Sequence, residues 1–194
     1  MKLCNFASVR SGLVLSRKQA KESTPYRYSL LNLRAIRPEG DIDINQLDVY
    51  DAVEALRSEY LTRKGDIIIR LTAPYTAILI DKSTSGLVIS SNFVVIRMEH
   101  QQLLPEYLYW FLNTQQVKQQ FYENTTSNML GAIKAKFLSE FELALLPVEE
   151  QRKIARLHLL AKRESQLLRQ LAEEKEKYYT GLLDKAYQCV KRGK

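Results

Sequence analysis

The chain has 194 residues, 45% of them apolar and 26% charged, which suits one folded domain plus an appendage and excludes a disordered polymer. Its two cysteines, Cys4 and Cys189, lie at opposite ends, so neither a disulfide framework nor a cysteine-based zinc site is expected. The net charge of +7 admits a nucleic-acid partner, and no apolar run approaches membrane-spanning length, so a cytoplasmic protein with no membrane partner is expected.

Residues 1–40 carry Lys2, Arg10, Arg17, Lys18, Lys21, Arg27, Arg34 and Arg37 against only Glu22 and Glu39, whereas "DIDINQLDVYDAVEALRSEY" (41–60) reverses the sign. Grouped positive charge fits a phosphate-facing patch, although a solvated face of mixed charge is the commoner explanation of such a pattern. "YRYSLLNLRAI" (26–36) alternates as a strand does, and "DVYDAVEALRSEYL" (48–61) has a helical spacing. "KGDIIIRLTAPYTAILID" (64–81) predicts strand, turn and strand, broken at Ala73-Pro74, and "GLVISSNFVVIRM" (86–98) a second strand pair around Ser90-Ser91-Asn92. Together these strands are expected to make one compact sheet. "LPEYLYWFLNTQQVKQQFYEN" (104–124) predicts a helix with Pro105 in its first turn, stopping before "TTSN" (125–128). "GAIKAKFLSEFELALL" (131–146) reads as an irregular stretch leading to a strand.

From Pro147 the pattern changes. Glu149 and Glu150 suit the first turn of a helix, while Lys191, Arg192 and Gly193 suit its end. Between them Ile154, Leu157, Leu160, Ala161, Leu167, Leu168, Leu171, Tyr178, Leu182, Ala186 and Val190 form an apolar stripe interrupted by Glu164 and Lys175. Roughly 45 residues at about 1.5 Å each reach about 65 Å, longer than a small domain is wide. Part of that stripe must find another helix, the alternative being a helix laid along its own domain. The expected fold is α+β: a globular mixed α/β domain over residues 1–146, then one long carboxy-terminal helix over 147–194 that pairs with a partner helix.

Residues with catalytic potential are sparse. His100 and His158 are the two histidines, and no metalloprotease, paired-cysteine, phosphate-loop or dinucleotide-binding motif occurs. "TAPYTAILID" (72–81) resembles, faintly, the Pro-Pro-aromatic loop of amino-methyltransferases, but Ala73 replaces the first proline and no glycine-rich cofactor loop precedes it. A proline turn between strands is the plainer reading.

In order along the chain, "RKGDIIIRLTAP" (63–74), "SSNFVVIRM" (90–98), "LLPEYLYWFLN" (103–113) and "GAIKAKFLSEFELALLPVEEQRKIARL" (131–157) lead into the closing helix. This succession resembles the specificity subunits of type I restriction-modification systems. The most specific pieces are the Gly65-Asp66 strand entry and the helix start Pro147-Val148-Glu149-Glu150-Gln151 followed by Ile154. The resemblance implies a target-recognition domain that reads double-stranded DNA, performs no catalysis and holds no cofactor. It also implies methyltransferase partner subunits that carry S-adenosylmethionine. In the family two recognition domains are spaced by antiparallel helices on a bipartite site. This chain has one of each, so it is expected to form a homodimer or to pair with another specificity subunit through the carboxy-terminal helix.

Candidate DNA contacts are Arg10, Arg17, Lys18, Arg34, Lys64 and Arg70, for phosphates or guanine edges, and Tyr75, Thr76, Asn92, Lys134 and Lys136, which lie beside predicted turns from which side chains can project. Each also has an ordinary reading as surface or turn chemistry. Gly65-Asp66 is expected to shape a turn, and Tyr107, Tyr109 and Trp110 to be core and rim. Candidate helix-pairing residues are Ile154, Leu157, Ala161, Leu168, Leu171, Tyr178 and Leu182. A function of a different class is a helical-tail adaptor for proteins, whose basic surface is incidental.

Overall fold

The computed structural model describes residues 1–126 and 131–192. Strands β1 (Ala7–Ser11), β7 (Phe93–Met98), β4 (Ile67–Arg70) and β5 (Ala77–Leu79) form an antiparallel sheet in that spatial order. A second sheet has the order β3 (Asp48–Asp51), β2 (Arg27–Leu31), β6 (Val88–Ile89). Helices α1 (Pro105–Leu112), α2 (Gln115–Thr126), α3 (Ala135–Ser139) and α4 (Val148–Arg192) follow. The fold class is α+β, as expected.

The strand-turn-strand expectation for 64–81 holds in β4 and β5, where the β-branched runs are buried in register, Ile67 opposite Leu79 and Ile69 opposite Ala77. The single compact sheet does not hold. Val88-Ile89 and Phe93–Met98 flank Ser90–Asn92 but belong to different sheets, because β6 pairs in parallel with β2 whereas β7 lies between β1 and β4. Side chains alternate across a strand, so Leu31 and Ile89 enter the core shared with Ile68, Phe93 and Val95, while Leu30 and Val88 enter a second cluster with Leu13, Tyr50 and Ala52. Both faces of this short sheet are therefore buried where β2 pairs with β6.

The helical reading of 48–61 is overturned. Residues 48–51 are strand β3, and Ser58–Tyr60 is a single 3-10 turn. Antiparallel pairing sets Tyr28 opposite Tyr50 and Arg27 opposite Asp51, contacts that no local spacing reveals. The predicted helix at 104–124 is two helices, parted at Asn113-Thr114. The Asn113 amide accepts from Ala77 N at 3.2 Å and donates to Ala77 O at 3.0 Å, hooking the end of α1 onto β5. Helix α2 continues into Thr126, beyond the expected stop, and Ser127 and Asn128 of "TTSN" lie outside the described residues. The stretch expected to be irregular contains α3, and the strand expected after it is reduced to a bridge between Glu142 and Lys2, flanked by Leu3 N to Phe141 O and Leu143 N to Met1 O, each 2.9 Å.

The chain divides into two compact units, residues 1–153 and 154–194. The first turn of α4, with Glu149 and Glu150, belongs to the first unit; Lys191 and Arg192 close the helix, and Gly193 lies outside the described residues. The described part of the second unit is wholly helical. Among the described residues no helix is long and apolar enough to cross a membrane.

Candidate nucleic-acid interface

The Gly65-Asp66 turn shows how the sequence positions its neighbours. Gly65 has a φ of +88°, a conformation a side chain disfavours, and its N–H donates to Ile80 O at 2.9 Å. Asp66 is buried beside it and accepts from Arg63 N at 2.8 Å, from Arg97 Nε at 2.8 Å and from Arg97 Nη2 at 2.6 Å. Those hydrogen bonds push the Arg97 guanidinium further toward its charged form, against the opposing effect of desolvation. Lys64 is carried on this turn and is exposed.

Arg70, Asn92 and Lys134 come from stretches far apart in sequence and meet through one residue. Leu71 N donates to Asn92 O at 3.1 Å, and Leu71 O accepts from Ile133 N at 2.9 Å. Arg70 closes β4 with its Nε on Thr72 Oγ1 at 3.1 Å, Asn92 is exposed on the β6–β7 turn, and exposed Lys134 and Lys136 sit at the start of α3. This end of the large sheet thus gathers four of the eleven candidate contacts. Ser90 O stands so close to Gly12 that an added Cβ there would collide with it, so glycine lets the segment after β1, bridged at Leu13 to Ser90, lie against the same turn.

Arg10 occupies a different place, an open cleft of about 370 Å³ that it lines with Arg57, Arg63, Arg97, Ser8, Ser58, Glu59 and Glu99. Its Nη1 lies 3.3 Å from Glu59 Oε2, and Arg57 Nη1 is 3.7 Å from Glu59 Oε1. Arg57 and Arg63 carry no signal in the sequence, because "EALRSEY" and "YLTRKGD" look like ordinary mixed-charge surface; the cleft exists only once β1 and β7 pair.

The remaining candidates divide. Arg17 is exposed on a 3-10 turn. Lys18 pairs with Glu54, and Arg34 with Asp48. With Arg27–Asp51 at 2.8 Å and Arg37–Asp43 at 2.9 Å, these pairs set the basic amino-terminal segment against the acidic 41–60 segment. The charge asymmetry seen along the sequence is therefore largely neutralised in space. Hydrogen bonds from Lys18, Arg27 and Arg37 hold Glu54, Asp51 and Asp43 below the ordinary carboxylate range. Exposed pairs of this kind contribute about 0–1 kcal/mol each, so a phosphate can compete for the cation.

Tyr75 and Thr76 do not project from their turn, and this corrects the sequence expectation. They are 5% and 2% exposed. The β4–β5 hairpin turns through a cis Ala73-Pro74 peptide and folds Tyr75 inward at a φ of +54°, where its ring meets Phe121 edge-on and its hydroxyl lies 2.6 Å from Thr125 Oγ1. Tyr107 and Tyr109 are buried, and Trp110 is half-buried beside Tyr107.

Gln151, part of the helix start that carries the family resemblance, has a structural role. It is fully buried; its Oε1 accepts from Leu104 N at 2.9 Å, and its Nε2 donates to Gln102 O and Leu146 O, both at 2.8 Å. One side chain thereby satisfies three backbone groups and ties the start of α4 to the start of α1. In the second unit, Leu157, Ala161, Leu168, Leu171, Tyr178 and Leu182 are exposed, Leu157 at 71% and Leu168 at 60%, whereas Ile154 is half-buried.

Comparison with known proteins gives one family match, to the type I restriction modification DNA specificity domain, over residues 2–174. Among solved structures, one described for complex assembly and conformational transition of the type I R-M system is similar with a TM-score of 0.61 and 21% identity, covering 89% of this chain and 44% of that one. The HsdS subunit from Thermoanaerobacter tengcongensis gives 0.59 and 22%, again with 89% and 44% covered. The S subunit of a type I restriction-modification system from M. genitalium gives 0.54 and 14%, with 89% and 41% covered. The chain thus spans less than half the length of these structures, and at these identities the likeness is one of fold. No curated protein matches.

Proposed function

The chain belongs to the family of the type I restriction modification DNA specificity domain, and on that premise we propose that it is a non-catalytic reader of double-stranded DNA. Its sheet domain contacts one half of a bipartite site, and α4 joins it to a second specificity chain that reads the other half. The assembly positions type I methyltransferase subunits, which bring S-adenosylmethionine, in the cytoplasm. The observation that carries this reading is the extent of the family match, which takes in the sheet domain and most of α4. The loop end that gathers Arg70, Asn92, Lys134 and Lys136 supplies polar and cationic groups suited to base edges and phosphates.

The test is to reconstitute the chain with a type I methyltransferase subunit, map methylated positions in treated DNA, and titrate binding with salt. Sequence-selective methylation and steep weakening with salt are expected. Replacing Lys134 and Lys136 by alanine should weaken binding to all sequences alike and lower the slope of log K against log salt by about one per lysine in phosphate contact. Methylation without sequence preference overturns the reading.

A protein-recruiting adaptor is the second reading, favoured by the ion pairs that neutralise the amino-terminal cations. It expects neither DNA preference nor a steep salt response.

A further inference from the structure

We propose that the exposed stripe of α4 seats a second copy of this chain, running antiparallel in one fixed register in which Glu164 of each copy faces Lys175 of the other. The inference rests on the pairing role given to α4 above and adds the register in which two copies align.

The stripe from Ile154 to Leu182 advances by alternating steps of three and four residues, the spacing of a two-helix seam. Glu164 and Lys175 are the two charged members of that seam, and both are exposed. Neither has an opposite charge three or four residues away in either direction; those positions hold leucine, alanine or tyrosine. Elsewhere α4 does use such local pairs, Glu149 with Arg152, Glu150 with Lys153 and Glu174 with Lys177. Once another helix covers the seam, these two charges therefore need partners from outside their own helix.

Antiparallel pairing with a second copy supplies them. If a two-fold axis passes between Arg169 and Gln170, Leu168 faces Leu171 of the other copy, Glu164 faces Lys175, Ala161 faces Tyr178 and Leu157 faces Leu182. Each layer occurs twice, as a two-fold interface requires. Opposite charges meet, and the smallest seam residue meets the largest. The axis also falls within one residue of the middle of Val148–Arg192, so the alignment that pairs the charges is one of near-maximal overlap.

Alternative alignments lose these matches. A slide of one heptad sets Glu164 against Leu168 or Leu182, and Lys175 against Leu157 or Leu171, leaving both charges facing leucine. A parallel pair in register sets glutamate against glutamate and lysine against lysine. A polar residue within an apolar seam selects register through such penalties, because a charge sequestered without its partner is strongly unfavourable.

The experiment measures self-association of the full chain by sedimentation equilibrium, for the wild type, E164K, K175E and the double variant E164K/K175E. Each single variant should self-associate roughly tenfold or more weakly, since two like-charge layers replace two opposite-charge ones. The double variant should recover to within about threefold of wild type. An equimolar mixture of the single variants should form a heterodimer, because both of its charge layers then match. Unchanged circular dichroism and melting show that the variants fold.

A dimer indifferent to both single swaps overturns the register. A chain that stays monomeric and pairs only with a different specificity chain overturns the choice of partner. In either case sequence-selective methylation by the reconstituted complex leaves the proposed function standing, whereas loss of that selectivity with the charge pattern upheld defeats the function and leaves the register.

Discussion

Residues 1–153 and 154–192 solve the problem of apolar side chains in opposite ways. In the sheet domain Leu31, Ile68, Ile89, Phe93 and Ile96 are closed off from water, and its buried polar groups have partners, Asp66 with Arg97 and Gln151 with three backbone groups. In the helical unit Leu157, Leu160, Leu168, Leu171, Tyr178 and Leu183 are exposed within a single amphipathic stretch. A domain that buries its own apolar surface carries its stability with it. A lone amphipathic helix leaves that free energy to be gained on association, since most helical stability in proteins comes from packing of the apolar face.

The largest expected effect separates the two directly. Replacing Leu168 and Leu171 by alanine truncates four leucine side chains across a paired dimer, at about 2 kcal/mol or more per leucine where the site is well packed. Self-association in sedimentation should be lost, while the urea midpoint of the sheet domain stays within experimental error. A fall in that midpoint instead would mean that the domain depends on these leucines.

The converse substitution acts inside the domain. Arg97→Leu leaves the buried Asp66 carboxylate with the Arg63 N–H and no cation, and removing one member of a buried pair costs about 3–5 kcal/mol. The urea midpoint should drop markedly with helix pairing preserved. Adding Asp66→Asn should restore part of the loss, because the orphaned charge is then gone. No recovery would point to lost packing of the Arg97 stem rather than to charge.

The same contrast explains what could be read from the sequence. The long helix was legible from local signals, acidic residues at its start, basic residues at its end and an apolar repeat between. Strands β4, β5 and β7 were legible as β-branched runs bounded by turn residues. The misreadings fall where contacts between distant residues decide. Strand β3 owes its state to β2, about twenty residues earlier along the chain, and the break after α1 owes its place to Asn113 hooking onto Ala77. The candidate site divides likewise. Turn positions such as Asn92 and Lys134 were visible, but the carboxylates facing Lys18 and Arg34 and the inward fold of Tyr75 depend on tertiary pairing.

The smallest expected effect probes how acid touches the sheet domain. Asp81 accepts hydrogen bonds from Ser83 and Thr84 in the loop after β5, through both backbone and hydroxyl donors. The hydrogen bond from Ser83 is the leading cause that lowers its pKa below the ordinary aspartate value. A depressed native pKa means the unfolded chain binds the proton more readily, so this contribution is fully present above the unfolded aspartate pKa of about 3.9 and is lost as pH falls through the native value. Asp81→Asn should therefore lower domain stability slightly at neutral pH and narrow its gap to wild type as the solution is acidified below about pH 4. Thermal melts of both proteins across that range test it, and a gap that does not change with pH would show that the loop is held by geometry alone.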